Sequence, residues 1–71
     1  MSKPTVGELE RRGEKGERLR LAASDYKKYD FQRIAKACAE GDGMLTIYNA
    51  GSLSEWDRKD IAKYGGVMFE P

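Results

Sequence analysis

Few residues of this 71-residue chain are of the types that perform catalysis. The sequence has no histidine, the side chain most often used to transfer protons near neutral pH. Its one cysteine, Cys38, falls on the apolar stripe of a predicted helix. We therefore interpret Cys38 as a buried core residue rather than an activated nucleophile. These features predict a protein that is not an enzyme.

Three acidic residues, Glu55, Asp57 and Asp60, are the only cluster that resembles a metal site. All three fall in the first turns of one predicted helix, where carboxylates complement the positive end of the helix dipole. The glycine-containing turns at residues 41–43 and 65–66 follow predicted helices and lack the Lys-Ser/Thr pair of a phosphate-binding loop. We therefore predict no metal and no cofactor.

The elements that position these residues occur as a repeat. An aromatic residue, an acid and an Ile-Ala-Lys triplet recur 27 residues apart, first within residues 29–36 and again within residues 56–63. Segments 18–22 and 44–48, which precede the two triplets, both alternate with the period of a half-buried strand. Segment 66–70 repeats this pattern after the second predicted helix. The repeat thus predicts three strands and two helices.

The predicted fold class is α/β, in the order β-α-β-α-β. Each connection between strands is long enough to contain a helix, which favours parallel crossovers over hairpins. The expected architecture is a small three-stranded parallel sheet with two helices on one face. Residues 18–71 would form a single α/β repeat domain. Residues 1–17 would form a charged N-terminal arm, flexible or a short helix, in which only Val6 and Leu9 are apolar after Met1.

The two predicted helices have apolar stripes of different quality. The first places apolar residues at i, i+3, i+4 and i+7 from Phe31 to Cys38, which is one helix face. The second has a similar stripe from Leu53 to Tyr64 that includes Trp56. Tyr29 and Trp56 occupy matching positions in the repeat. Core packing, or a lid over the seam between the repeats, is the favoured interpretation of both, with partner contact as the alternative.

The segment Leu45-x-Ile47-x-Asn49-x-x-x-Leu53 resembles the strand and turn of a leucine-rich repeat. The period of 26–27 residues is also typical of that family. The resemblance concerns architecture and covers about two and a half units, with Ala23 where the first unit would carry the asparagine. It implies that Asn49 bonds neighbouring backbone, and that a partner binds the surface formed by the strands.

Alternation along the strands predicts a bare sheet face. If the apolar alternates of each strand face the helices, the other alternates face outward, and Arg, Tyr and Met are enriched at protein interfaces. A parallel sheet is normally covered on both faces. The N-terminal arm, a second copy or another protein would therefore cover this one. The predicted binding residues, together with Trp56, are Arg18, Arg20, Met44, Thr46, Tyr48, Met68 and Glu70.

These observations predict a non-catalytic protein-binding module that acts stoichiometrically on a larger protein, as an adaptor or inhibitor of the kind encoded by phages or mobile elements. Self-association is a second form of the same hypothesis. The alternative is a small nucleic-acid-binding protein that uses Arg18, Arg20, Tyr48 and the basic residues of the arm. The net charge of +1 and the interleaved acids of the arm weigh against nucleic acid. The absence of a long apolar run predicts a cytoplasmic protein without membrane contact.

Overall fold

The computed structural model describes residues 3–71. Helix α1 spans Val6–Glu14 and strand β1 spans Arg18–Ala22. Helix α2 spans Lys28–Glu40 and strand β2 spans Met44–Tyr48. A 3-10 turn, Ala50–Ser52, precedes helix α3 (Glu55–Ala62), and strand β3 (Val67–Phe69) follows.

The three strands form one parallel sheet in the order β1-β2-β3, as the repeat predicts. Leu19 lies beside Leu45, and Leu45 lies beside Val67. Leu21 and Phe69 flank Ile47 in the same way. The apolar alternates therefore form two rows on one face, because residues two apart in a strand point to the same side. The α/β prediction is confirmed, with β3 shorter than the predicted segment 66–70.

The hydrophobic core lies between those rows and the helices. Helix α2 buries Phe31, Ile34 and Cys38 completely, which confirms its predicted stripe. Ser54 is the N-cap of α3, and its Oγ accepts a hydrogen bond from the Asp57 N–H at 3.1 Å. Within α3 only Ile61 is fully buried. The second helix is thus attached to the core at fewer points than the first.

Helix α1 is a short helix, one of the two forms expected for the N-terminal segment, and it packs against the rest of the domain. The Thr5 side chain caps it by accepting from the Glu8 N–H at 3.2 Å. Leu9 is only 1% exposed and belongs to the same core as Phe31 and Leu45. The domain therefore begins within the segment that composition assigned to an arm.

Glycines explain how a helix with so few apolar residues packs closely against α2. A Cβ on Gly13 would stand 2.7 Å from the Cys38 Sγ. A Cβ on Gly41 would stand 2.2 Å from the Glu14 carbonyl oxygen. Both distances are shorter than van der Waals contact, so the backbones of α1 and α2 approach because neither carries a side chain there. Gly41 ends α2, as expected, but its φ of −104° shows that close approach, not a left-handed turn, requires glycine.

The turn after β2 bears on the leucine-rich-repeat resemblance. Asn49 adopts a left-handed conformation with φ 57° and is exposed. Its side chain caps no N–H of the following 3-10 turn. The hydrogen bond that the resemblance implies for the Asn49 side chain is therefore not seen at the start of that turn.

Candidate protein-binding surface

One face of the sheet carries no helix. The core rows face α2 and α3, and α1 packs beside α2 on that same side, where Leu9 joins the core. Residues 3–17 therefore do not cover the other face, so the first of the three predicted covers is not seen in the part of the chain that the structure describes. We call that other face the open face; its side chains are Arg18, Arg20, Met44, Thr46, Tyr48, Met68 and Glu70.

The open face carries a cluster of three side chains: Arg20 from β1, Tyr48 from the end of β2 and Glu70 from just after β3. The Arg20 guanidinium lies 4.3 Å above the centre of the Tyr48 ring. Its NH2 group donates to the Glu70 Oε1 at 2.9 Å. An exposed ion pair contributes at most about 1 kcal/mol, and an exposed cation–π contact about 0.5–1 kcal/mol. The cluster therefore fixes side-chain positions across the sheet more than it stabilises the fold.

Around this cluster the open face is apolar on one side and basic on the other. Met68 is 54% exposed, and Met44 and Thr46 are half-buried. Arg18, at the start of β1, is exposed and has no ion-pair partner within residues 3–71. A flexible thioether beside a planar guanidinium that lacks a carboxylate is a combination typical of protein interfaces.

Trp56 does not belong to the open face. It lies on α3, on the helical side of the sheet, and is 74% exposed with the Lys59 Nζ 5.6 Å from its ring centre. Tyr29, at the matching position of α2, is 70% exposed. The favoured interpretation of both aromatics as core residues is therefore wrong. Of the predicted binding residues, the structure brings together those of the strands and separates Trp56 from them.

The structure has a groove along β1 that the sequence did not predict. It has a volume of about 260 Å³ and runs between β1 and the segment that leads into α1. That segment is held in place where the Tyr26 hydroxyl donates to the Pro4 carbonyl at 2.6 Å and the Lys3 Nζ lies 4.7 Å from the Tyr26 ring centre. No local pattern signals this contact, because its partners are 22 residues apart.

The residues considered for catalysis have structural roles instead. Cys38 is fully buried, and burial raises the pKa of its thiol, which lowers the thiolate fraction at neutral pH. Asp60 pairs with the Lys28 Nζ at 2.5 Å and Asp57 pairs with it at 3.4 Å. The hydrogen bond from Lys28 lowers the pKa of Asp60. These carboxylates therefore join α3 to α2, a role that helix-dipole reasoning alone did not predict.

Metal sites, membrane-spanning helices and similarity to known proteins also bear on what the open face does. Within residues 3–71, no group of three or more acidic or cysteine side chains is arranged to hold a metal ion. In the same residues no helix has the length and apolarity needed to cross a membrane. Comparisons of the chain with protein-family models, with curated proteins and with solved structures find no match.

Proposed function

We propose that this chain is a non-catalytic protein-binding module that docks a larger protein, stoichiometrically, on the open face. The observation that carries this proposal is the uncovered face of a parallel sheet, on which Arg20, Tyr48 and Glu70 form a cluster. Parallel sheets are normally covered on both faces. A partner that supplies the missing layer would also add stability to a small domain by mass action.

The size of the open face favours a different protein over a second copy. Two strands of five residues and one of three span at most roughly 14 by 17 Å, whereas a stable interface needs about 800 Å² from each partner. Two copies stacked face to face would bury less than that. A larger protein can extend its contact beyond the sheet, onto the groove along β1 or the end of the domain. We therefore expect the free chain to be a monomer.

The charges of the open face weigh against the nucleic-acid alternative. Glu70 places a carboxylate beside Arg20 on the face, and Arg20 already covers the side of the Tyr48 ring that a base would stack on. A phosphate backbone would have to displace this ion pair and avoid the carboxylate. Peptide groups and apolar side chains meet no such penalty. The free thiol of Cys38 supports a reducing, cytoplasmic compartment for the complex.

Two aromatic side chains on opposite sides of the sheet, Tyr48 and Trp56, provide the test. Tyr48→Ala, and separately Arg20→Ala, should weaken partner capture at least about tenfold while circular dichroism shows an unchanged fold. Trp56→Ala, which removes an exposed aromatic ring from the helical side, should leave capture unchanged. Light scattering of the free chain should give a monomer mass. If capture depends on Trp56 and not on Tyr48 or Arg20, the helical side is the interface and the proposal is wrong.

A further inference from the structure

The outer edge of β1 has backbone groups available for pairing. The Met44 N–H donates to the Glu17 carbonyl at 3.2 Å, and the Ala23 N–H donates to the Tyr48 carbonyl at 2.9 Å. In a parallel pair, alternate residues of a strand direct both backbone groups to the same neighbour. The backbone N–H and carbonyl groups of the odd-numbered residues of β1 therefore point toward β2. Those of Arg18 and Arg20 point away from β2.

Those outward groups have no partner in the part of the chain that the structure describes. The N–H groups of Arg18, Arg20 and Ala22, and the carbonyls of Arg18 and Arg20, form no hydrogen bond there, whereas the Ala22 carbonyl accepts from the Asp25 N–H at 3.1 Å. They open onto the groove along β1. Successive groups repeat about every 6.6 Å along such an edge, which is the spacing of an added peptide strand.

The groove is also positively charged. Four cationic side chains line it, against the single carboxylate of Asp25. Two of the four have nearby partners, Glu17 and Glu70, in exposed ion pairs that a competing carboxylate can replace at little cost. The lining also includes the buried side chain of Leu9 and the ring of Tyr48. The four cationic residues are Lys3, Arg12, Arg18 and Arg20.

We infer that this groove is a strand-addition site for an extended acidic segment of a protein partner. The segment pairs its backbone with the outer edge of β1, extends the sheet to four strands, and places carboxylates beside Arg12 and Arg18. This inference rests on the proposed protein-binding function and specifies how part of the partner binds. It also enlarges the contact beyond the open face, whose area alone is small.

The opposite edge of the sheet is less suited to this role. Strand β3 has only three residues, the adjacent Gly65 and Gly66 have φ of 81° and 66°, and Pro71 lies just beyond Glu70. A very short strand flanked by proline is a common way to prevent edge pairing. Strand β1 has five residues and neither feature. Its carbonyl acceptors also favour a peptide over a phosphate backbone, which brings no donors to pair with them.

The test uses a defined peptide and the full chain. The probe is a capped heptapeptide of alternating valine and glutamate, titrated into ¹⁵N-labelled protein at neutral pH. We expect the largest amide shifts at Arg18, Arg20 and Ala22, and binding at least tenfold tighter than that of the matched valine–lysine peptide. Methylation of the peptide amides that face β1 should weaken binding about tenfold or more, whereas methylation of the alternate amides should not.

Protein variants test the charge component separately. Arg18→Glu should weaken binding of the glutamate peptide at least tenfold and improve binding of the lysine peptide. Lys36→Glu, the same charge change at an exposed position on α2, should alter neither. Both positions are exposed, so neither variant is expected to disturb folding, which circular dichroism would verify.

Several results would overturn the inference. They are the absence of shifts at millimolar peptide, shifts confined to Thr46 and Met68 on the open face, or equal effects of the two methylation patterns. Tighter binding of an oligothymidine than of the glutamate peptide at the same amides would assign the groove to nucleic acid instead. If partner capture still depends on Tyr48 while the peptide fails to bind, only the strand-addition inference is wrong. If capture through the open face also fails, the proposed function is wrong as well.

Discussion

The two neighbours of helix α2 are attached to it by different physical means. On one side α1 contributes a single fully buried side chain, Leu9, and approaches so closely that glycine is required at Gly13 and Gly41. On the other side α3 has more aromatic surface, yet Trp56 remains exposed and ion pairs from Lys28 cross the gap. We therefore expect close backbone packing to anchor α1 to α2 more firmly than exposed ion pairs anchor α3 to α2.

The reason lies in what each contact removes from water. Glycines let two backbones meet over their whole surface without a cavity, and close packing of that kind is what stabilises protein interiors. Exposed ion pairs keep much of their hydration and contribute little. An aromatic ring that remains in solvent adds almost nothing to the fold. The comparison predicts that substitutions at the α1–α2 contact have larger effects than substitutions at the α2–α3 contact.

The largest expected effect compares one leucine with the tryptophan. Leu9→Ala should lower the free energy of unfolding by about 3 kcal/mol, because a fully buried leucine is removed from the core. Trp56→Ala should lower it by less than about 1 kcal/mol, although the tryptophan is larger. Urea denaturation followed by circular dichroism measures both, since fluorescence would lose its only tryptophan. Equal losses would show that α1 is not anchored more firmly than α3.

The second largest expected effect concerns the close approach of the α1 and α2 backbones. Gly41→Ala should destabilise the fold by about 2 kcal/mol, because its Cβ would overlap the Glu14 backbone and force α1 and α2 apart. Gly51→Ala is the control, because a Cβ there meets nothing within 4 Å. It should leave stability unchanged or raise it by about 0.5 kcal/mol. A tolerated Gly41→Ala would contradict the close packing of the two backbones.

The rate at which Cys38 is chemically modified reports on the same contact between α1 and α2. Cys38 is buried against Gly13, and burial raises the pKa of its thiol. Modification by iodoacetamide near pH 8 should therefore be slow, since it requires both opening of the contact and ionisation of the thiol. Leu9→Ala should speed it about a hundredfold, if its 3 kcal/mol loss appears in the opening equilibrium, at tenfold per 1.4 kcal/mol. Rapid modification of the native chain, measured by mass spectrometry, would refute this burial.

The smallest effect concerns the α2–α3 ion pairs and depends on pH. The Lys28 hydrogen bond lowers the folded-state pKa of Asp60 below its ordinary value of 3.8. Its stabilising contribution is therefore complete above that value and is lost as the pH falls through the folded-state pKa. Lys28→Met should be slightly less stable than Lys27→Met at pH 7 and low salt, and the difference should vanish in acid. A difference that persists at low pH, in urea denaturation, would exclude this ion pair as its cause.

How much of this structure follows from sequence differs from element to element. The strands at residues 18–22 and 44–48 agree with their predicted bounds, because alternation is a local consequence of the extended backbone. The stripe from Phe31 to Cys38 is buried as its helical spacing predicts. The same reasoning failed for Trp56, since a position in a periodic stripe does not say whether a neighbour reaches it.

The candidate binding surface divides in the same way. Alternation alone assigned Arg20 and Tyr48 to one face, and the parallel pairing confirms this. The ion pair with Glu70 joins residues 50 apart, and no local pattern predicts which side chains meet at that separation. The groove along β1 depends on where the segment near Pro4 docks, which is also a long-range contact.

Sequence by itself determined the order of elements, the parallel sheet and the two faces of each strand, because the periods of strands and helices depend only on adjacent backbone geometry. Tertiary structure alone decided that the charged N-terminal segment belongs to the domain. A helix can pack closely against its neighbour because its glycines have no side chain, and a missing side chain leaves no hydrophobic pattern in the sequence. The tertiary structure also decided that Trp56 stays in solvent and that the edge of β1 faces a basic groove.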